Sequence, residues 1–190
     1  MNNDTLSLLD QAELFQLAMT ASAGGDSGTT IAYLKAAVSR SDATAHAHYL
    51  LGAEYAQIAL YDRAMDAMEA AIALDPSLWT ARLQLALLYL GANREDRAAE
   101  TLGPLSQRPE DEPLQRFSDG LLRLIGNDLP GAQQVLADGI ARNTVNPALN
   151  GDMQRIIDEI QRRTGDAPAE DTGTDADHIL LSAYAGNQRH

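Results

Sequence analysis

Apolar and small residues return along this chain at a fixed interval of 34 positions. The clearest copy begins at Ala45 and carries Leu51 and Gly52, then Tyr55, Ala64, Met68, Ala71 and Pro76. One interval later come Leu85 and Ala86, then Tyr89, Ala98, Leu102 and Leu105. One interval earlier stand Leu17 and Ala18, then Thr30, Leu34 and Ala37. A last copy offers Gly120, Ala132, Leu136 and Gly139. Self-similarity at this period predicts stacked helix pairs, because one pair cannot bury its apolar faces alone.

The coarse pattern is helical throughout. Leu6, Leu9, Leu14, Leu17 and Ala18 predict a first amphipathic helix over about Thr5 to Ser22. The run Ala23-Gly24-Gly25-Asp26-Ser27-Gly28 breaks it, and a partner helix follows over Thr29 to Ser39. A second pair spans Ala45 to Leu74 and stops at Asp75-Pro76. A third spans Leu78 to Leu105 with its turn at Gly91-Ala92-Asn93, and a fourth spans Pro113 to Arg142. Gly103-Pro104 is expected to kink or shorten the second helix of the third pair. Asn146-Pro147 opens a last helix ending near Thr164. Its apolar stripe is Leu149, Met153, Ile156, Ile157 and Ile160; Asp152, Arg155, Asp158, Glu159 and Arg162 face away. A helix with one polar face suits a cap on the open end of a repeat stack.

The recurring small residues have a packing reason. Where two helices cross closely, a side chain larger than a methyl holds them apart. Ala18, Gly52, Ala86 and Gly120 recur at one such place, and Thr30, Ala64, Ala98 and Ala132 at a second in the partner helix. Leu34, Met68, Leu102 and Leu136 fill the space beside them.

These positions resemble the tetratricopeptide repeat family. The copy at Ala45–Leu78 matches seven of the eight defining positions, with Met68 as the large apolar one and His48 where tryptophan is commonest. The first copy has Ala21 in place of the tyrosine, and the last has Asp119 and Arg123 at the leucine and tyrosine positions. The resemblance implies an all-α, right-handed helical-repeat solenoid of about four pairs plus a C-terminal capping helix. The expected organisation is a solenoid over residues 1–164, a flexible acidic linker over 165–177 and a short apolar tail over 178–190.

The resemblance also implies that the first helix of each pair lines a concave groove. The partner-binding residues expected there are Phe15, Met19, Tyr49, Ala53, Leu83, Leu87, Leu90, Phe117, Leu121 and Leu124. That surface is apolar and lacks the lysines, arginines and asparagines of the carboxylate-binding members. Such a groove can be self-buried by tight curvature, filled by the tail residues Ile179, Leu180 and Tyr184, or filled by an apolar helix or peptide of a partner.

Charge and composition narrow the partners. Lys and Arg total 14 against 27 Asp and Glu, a formal net charge of −13. Such a chain repels nucleic acid and anionic lipid. No cysteine is present, which removes disulfides, thiol catalysis and cysteine-based zinc sites. His46 and His48 are two apart on a helix and point to different faces, so no metal site is expected. Asp62, Asp66 and Glu69 read as a solvated helix face, and Trp79 as packing between repeats. Phosphate loops, serine elbows and Cys/His pairs are missing, so neither enzyme activity nor a cofactor is expected. Met1-Asn2-Asn3-Asp4 lacks a basic stretch before its apolar residues, and no run reaches the ~20 apolar residues of a membrane span. A cytoplasmic location follows as an expectation.

The function expected is non-catalytic protein binding, of the kind served by a cytosolic chaperone or assembly adaptor. Size and architecture resemble the chaperones of bacterial secretion translocators. The alternative is a self-assembling scaffold whose tail enters its own or a neighbour's groove.

Overall fold

The computed structural model describes residues 6–109 and 112–166. The tail residues Ile179, Leu180 and Tyr184 lie outside them, as does 167–177 of the expected linker; Gly165 and Asp166 belong to the last helix. Among the described residues every regular element is helical: α1 (Gln11–Ala23), α2 (Ser27–Val38), α3 (Ala45–Gln57), α4 (Tyr61–Leu74), α5 (Trp79–Gly91), α6 (Glu95–Ser106), α7 (Pro113–Ile125), α8 (Leu129–Arg142) and α9 (Pro147–Asp166). The fold is an all-α helical-repeat solenoid of hairpin pairs.

The chain divides into two compact units, Met1–Leu85 and Ala86–His190. In the first, α1 pairs with α2, α3 pairs with α4, and α2 packs on α3. In the second, α7 pairs with α8, α6 packs on α7, and α9 packs on α8.

Helix α1 starts later than the apolar pattern predicts. Asp10 caps it: the Glu13 amide donates to Asp10 Oδ1 and the Asp10 amide donates to Glu13 Oε2, each at 2.9 Å. This reciprocal box satisfies two amide donors at the helix start, so the helix begins at Gln11 rather than near Thr5. Residues 7–9 form a turn ahead of it; Leu6 is buried and Leu8 is exposed.

The close crossings fall where the small residues recur. A methyl built on Gly52 of α3 lies 2.7 Å from Met68 Cγ and 3.1 Å from the Ala64 carbonyl of α4. A methyl on Gly120 of α7 lies 2.6 Å from Leu136 Cδ2 and 3.3 Å from the Leu136 backbone nitrogen of α8. Neither crossing has room for a side chain. Behind Gly120, the Phe117 ring packs over Gly139, where an added methyl would meet it at 2.7 Å.

The turns inside the pairs repeat with the same period. Gly25, Ala59, Asn93 and Asn127 have φ of 75°, 59°, 56° and 58°. At each, the next amide reaches back to a carbonyl five residues earlier. Asp26 bonds to Ala21 at 3.1 Å, Leu60 to Tyr55 at 2.9 Å, Arg94 to Tyr89 at 2.8 Å, and Asp128 to Arg123 at 2.9 Å. This is a left-handed helix closure, natural for glycine and tolerated by asparagine. Alanine is the poor fit, since a Cβ disfavours this region. We expect Ala59→Gly to stabilise the protein by about 1 kcal/mol, net of the extra freedom glycine gives the unfolded chain. Thermal unfolding should show a midpoint about 2–4 °C higher; an unchanged or lower midpoint refutes the strain.

Tyrosine and arginine mark the same junctions. The Arg63 guanidinium lies 5.9 Å from the centre of the Tyr55 ring, and Arg97 lies 5.2 Å from that of Tyr89. Arg97 also donates to the Tyr89 hydroxyl at 3.1 Å. In the fourth pair Arg123 takes the tyrosine position. It pairs instead with Asp119 at 3.4 Å and Asp128 at 3.0 Å, which raise its pKa above the usual value, Asp128 most.

Helix α6 runs through Pro104 to Ser106. The missing proline amide falls in the last turn, where one lost ladder bond does little harm. Glu159 does not face away on α9: only 4% of it is exposed, and its carboxylate pairs with Arg162. The five apolar residues of the α9 stripe are buried. Its entry is held by asparagines: Asn143 Nδ2 donates to Asn150 Oδ1 at 2.7 Å and to the Asn146 carbonyl at 2.8 Å. Asn150 Nδ2 returns a bond to the Asn143 carbonyl at 3.0 Å.

Candidate partner-binding surface

In the first unit the leading helices lie side by side. Ser22 at the end of α1 donates its hydroxyl to Glu54 Oε1 of α3 at 2.9 Å. Gln11 at the start of α1 donates to the Thr44 hydroxyl, which caps α3, at 3.2 Å. Tyr49 of α3 is hydrogen-bonded with Gln84 in the first half of α5. These polar ties are spread along the helices, and apolar residues lie between them.

Those apolar residues form the open part of the expected surface. Met19 is 43% exposed, and Phe15, Tyr49 and Ala53 are half-buried. Exposed Ala12, Gln16 and His46 flank them on the same helices. Burial pushes the Tyr49 phenol above its ordinary pKa, while the bond with Gln84 opposes the rise; the ring is neutral at pH 7. Burial lowers the pKa of His48, which favours its neutral form. The surface is therefore apolar with neutral hydrogen-bonding groups.

The other six expected groove residues are not open to solvent. Leu83, Leu90, Phe117, Leu121 and Leu124 have no exposed surface, and Leu87 has 6%. For Phe117 the reason is visible: its ring is packed over Gly139 of α8, inside its own hairpin. Leu121 and Leu124 continue that stripe at helical spacing. These side chains serve the core; of the ten expected positions, the four on α1 and α3 are the ones at least partly exposed.

Sequence reading passed over two polar residues that position this surface. Ser22 and Glu54 sit among alanines and leucines and carry no motif. Glu54 is buried, with its Oε2 lacking a hydrogen-bond partner. One acidic residue inside the apolar run Leu51 to Ala56 was the available signal. In the second unit the buried Ser118 hydroxyl plays the same joining part, donating to the Leu102 carbonyl at 3.0 Å.

Known proteins share this fold. The tetratricopeptide repeat profile matches residues 45–78, the α3–α4 pair. No curated protein matches the chain by sequence. A crystal structure of MamA is similar over 70% of this chain and 77% of its own, with 24% identity and a TM-score of 0.59. MamA (41-end) from Desulfovibrio magneticus RS-1 is similar over 94% of both chains, with 13% identity and a TM-score of 0.61. MamA AMB-1 covers 93% of this chain and 89% of its own at 16% identity and a TM-score of 0.54. Identities this low speak for the shared fold. Residues 45–78 are thus a tetratricopeptide repeat, and the 34-residue register carries the same hairpin plan through the other pairs.

Proposed function

We propose that this protein-interaction module works without catalysis, holding an apolar helix or peptide of a partner protein against α1 and α3. The observation that carries the reading is the partly exposed set Phe15, Met19, Tyr49 and Ala53 on helices tied by Ser22–Glu54 and Gln11–Thr44. A rigid apolar face with few charges suits a helix or peptide docked by its apolar side. The setting we assign is the cytoplasm, and the role that of a chaperone or assembly adaptor for an apolar client. Among the described residues no helix is long and apolar enough to cross a membrane.

A photo-crosslinking amino acid at Ala12, on the exposed side of α1, tests this. In the native cell it should trap a discrete polypeptide through an apolar segment. The same probe at exposed Ala73 of α4 should not. Adding Met19→Glu should reduce the yield by about tenfold, equal to ~1.4 kcal/mol of binding. Equal trapping at both positions, or indifference to Met19→Glu, rejects the surface.

A further inference from the structure

The seam between α1 and α3 buries one carboxylate that the fold only half satisfies. Glu54, in the last turn of α3, is 5% exposed. Its Oε1 accepts from the Ser22 hydroxyl of α1 at 2.9 Å, while its Oε2 has no hydrogen-bond partner among the described residues. Burying a charge is costly unless donors meet it, and a glutamine could take the Ser22 bond without that cost. A carboxylate kept here has a use beyond joining two helices.

The backbone adds charge of the same sign. Helix α1 ends at Ala23 and α3 at Gln57, and the last turn of a helix carries partial negative charge. Neither last turn contains a base, and neither helix contains a lysine or arginine anywhere. Exposed Met19 stands one turn before Ser22 on α1, and half-buried Ala53 directly precedes Glu54 on α3. The apolar face of α1 and α3 thus runs into a negative rim with no cation from either helix.

Building on the reading of α1 and α3 as the partner-binding surface, we propose that this rim seats a lysine or arginine of the partner. The bound segment is apolar with a basic flank: its apolar side chains lie on Phe15, Met19 and Ala53, and its cation meets Glu54. Ser22 is exposed, so turning its hydroxyl aside gives the incoming donor a way to the carboxylate. A cation there supplies the missing donor and meets both helix ends at once.

A chain of net charge −13 attracts cations over its whole surface, so the test separates Glu54 from the total charge. The probes are two synthetic helical peptides with one leucine face and a glutamine-serine remainder, flanked at both ends by lysine in one and by glutamine in the other. Fluorescence anisotropy with the full chain should show the lysine peptide binding about tenfold tighter. Glu54→Gln should remove most of that preference and leave the glutamine peptide bound as before. Asp66→Asn deletes the same charge from the exposed side of α4 and should leave the preference intact. Ser22→Ala, at an exposed position, should widen the preference, since both carboxylate oxygens then face the cation. Met19→Ser should weaken both peptides alike. Equal binding of the two peptides, both sensitive to Met19→Ser, overturns the cation seat and leaves the surface standing. A preference that survives Glu54→Gln, falls equally with Asp66→Asn, or narrows with Ser22→Ala also overturns it. If neither peptide binds, or Met19→Ser changes nothing, the surface itself is wrong and the cation seat falls with it.

Discussion

Leu83→Asp with Leu87→Asp is expected to unfold the protein. Read from sequence, this pair looks like a clean way to silence a groove. The structure leaves Leu83 with no exposed surface and Leu87 with 6%. Each substitution replaces a buried aliphatic side chain by a carboxylate with no cation designed to meet it. The penalty is several kcal/mol per ion even after the surroundings relax. A domain's whole stability is about 5–15 kcal/mol, so two such changes exhaust it. Far-UV circular dichroism at 25 °C should show most of the helix signal gone. Met19→Glu, at a position 43% exposed, should keep it. A fully helical double variant would mean that both leucines reach water and that the groove is open after all.

Gly120→Val should be the most damaging single change at a helix crossing. The first methyl alone would sit 2.6 Å from Leu136 Cδ2, well inside contact distance. The valine branch adds a second group while the Leu136 backbone nitrogen stands at 3.3 Å, so turning the leucine aside does not clear the space. The helices must separate, which opens gaps around the Phe117 ring and Gly139. Overpacking of this sort costs about 1–3 kcal/mol, and valine in a helix adds a little. We therefore expect a loss of about 3 kcal/mol in urea unfolding, with the slope unchanged. Gly151→Ala in α9 is the control: the glycine is exposed, and an added methyl meets nothing within 4 Å. There the better helix residue should stabilise by about 0.5–1 kcal/mol. If the two variants lose the same stability, helix propensity rather than crossing distance governs these glycines.

The crossings were legible because they are a local demand repeated four times. Gly52 faces Ala64 and Met68, and Gly120 faces Leu136, as the register required. Solvent exposure was not legible. A first-helix position such as Leu121 or Phe117 is assigned to a face by its register, but its exposure depends on what packs above it. Phe117 shows the difference, since the missing side chain at Gly139 is what admits its ring. The start of α1 was misread because Leu6 and Leu9 prolong the apolar period past a strong cap at Asp10. Glu159 was misread because its charge suggested water, whereas its side chain is buried and its carboxylate pairs with Arg162, which stays exposed.

The left-handed residues at 25, 59, 93 and 127 carry a meaning beyond local strain. Each closes its hairpin with the same backbone bond, whatever side chain stands there. Gene duplication needs such seams. A cassette cut between successive seams brings both of its junctions in identical backbone form, so copies can be gained, lost or shuffled without inventing a new connection.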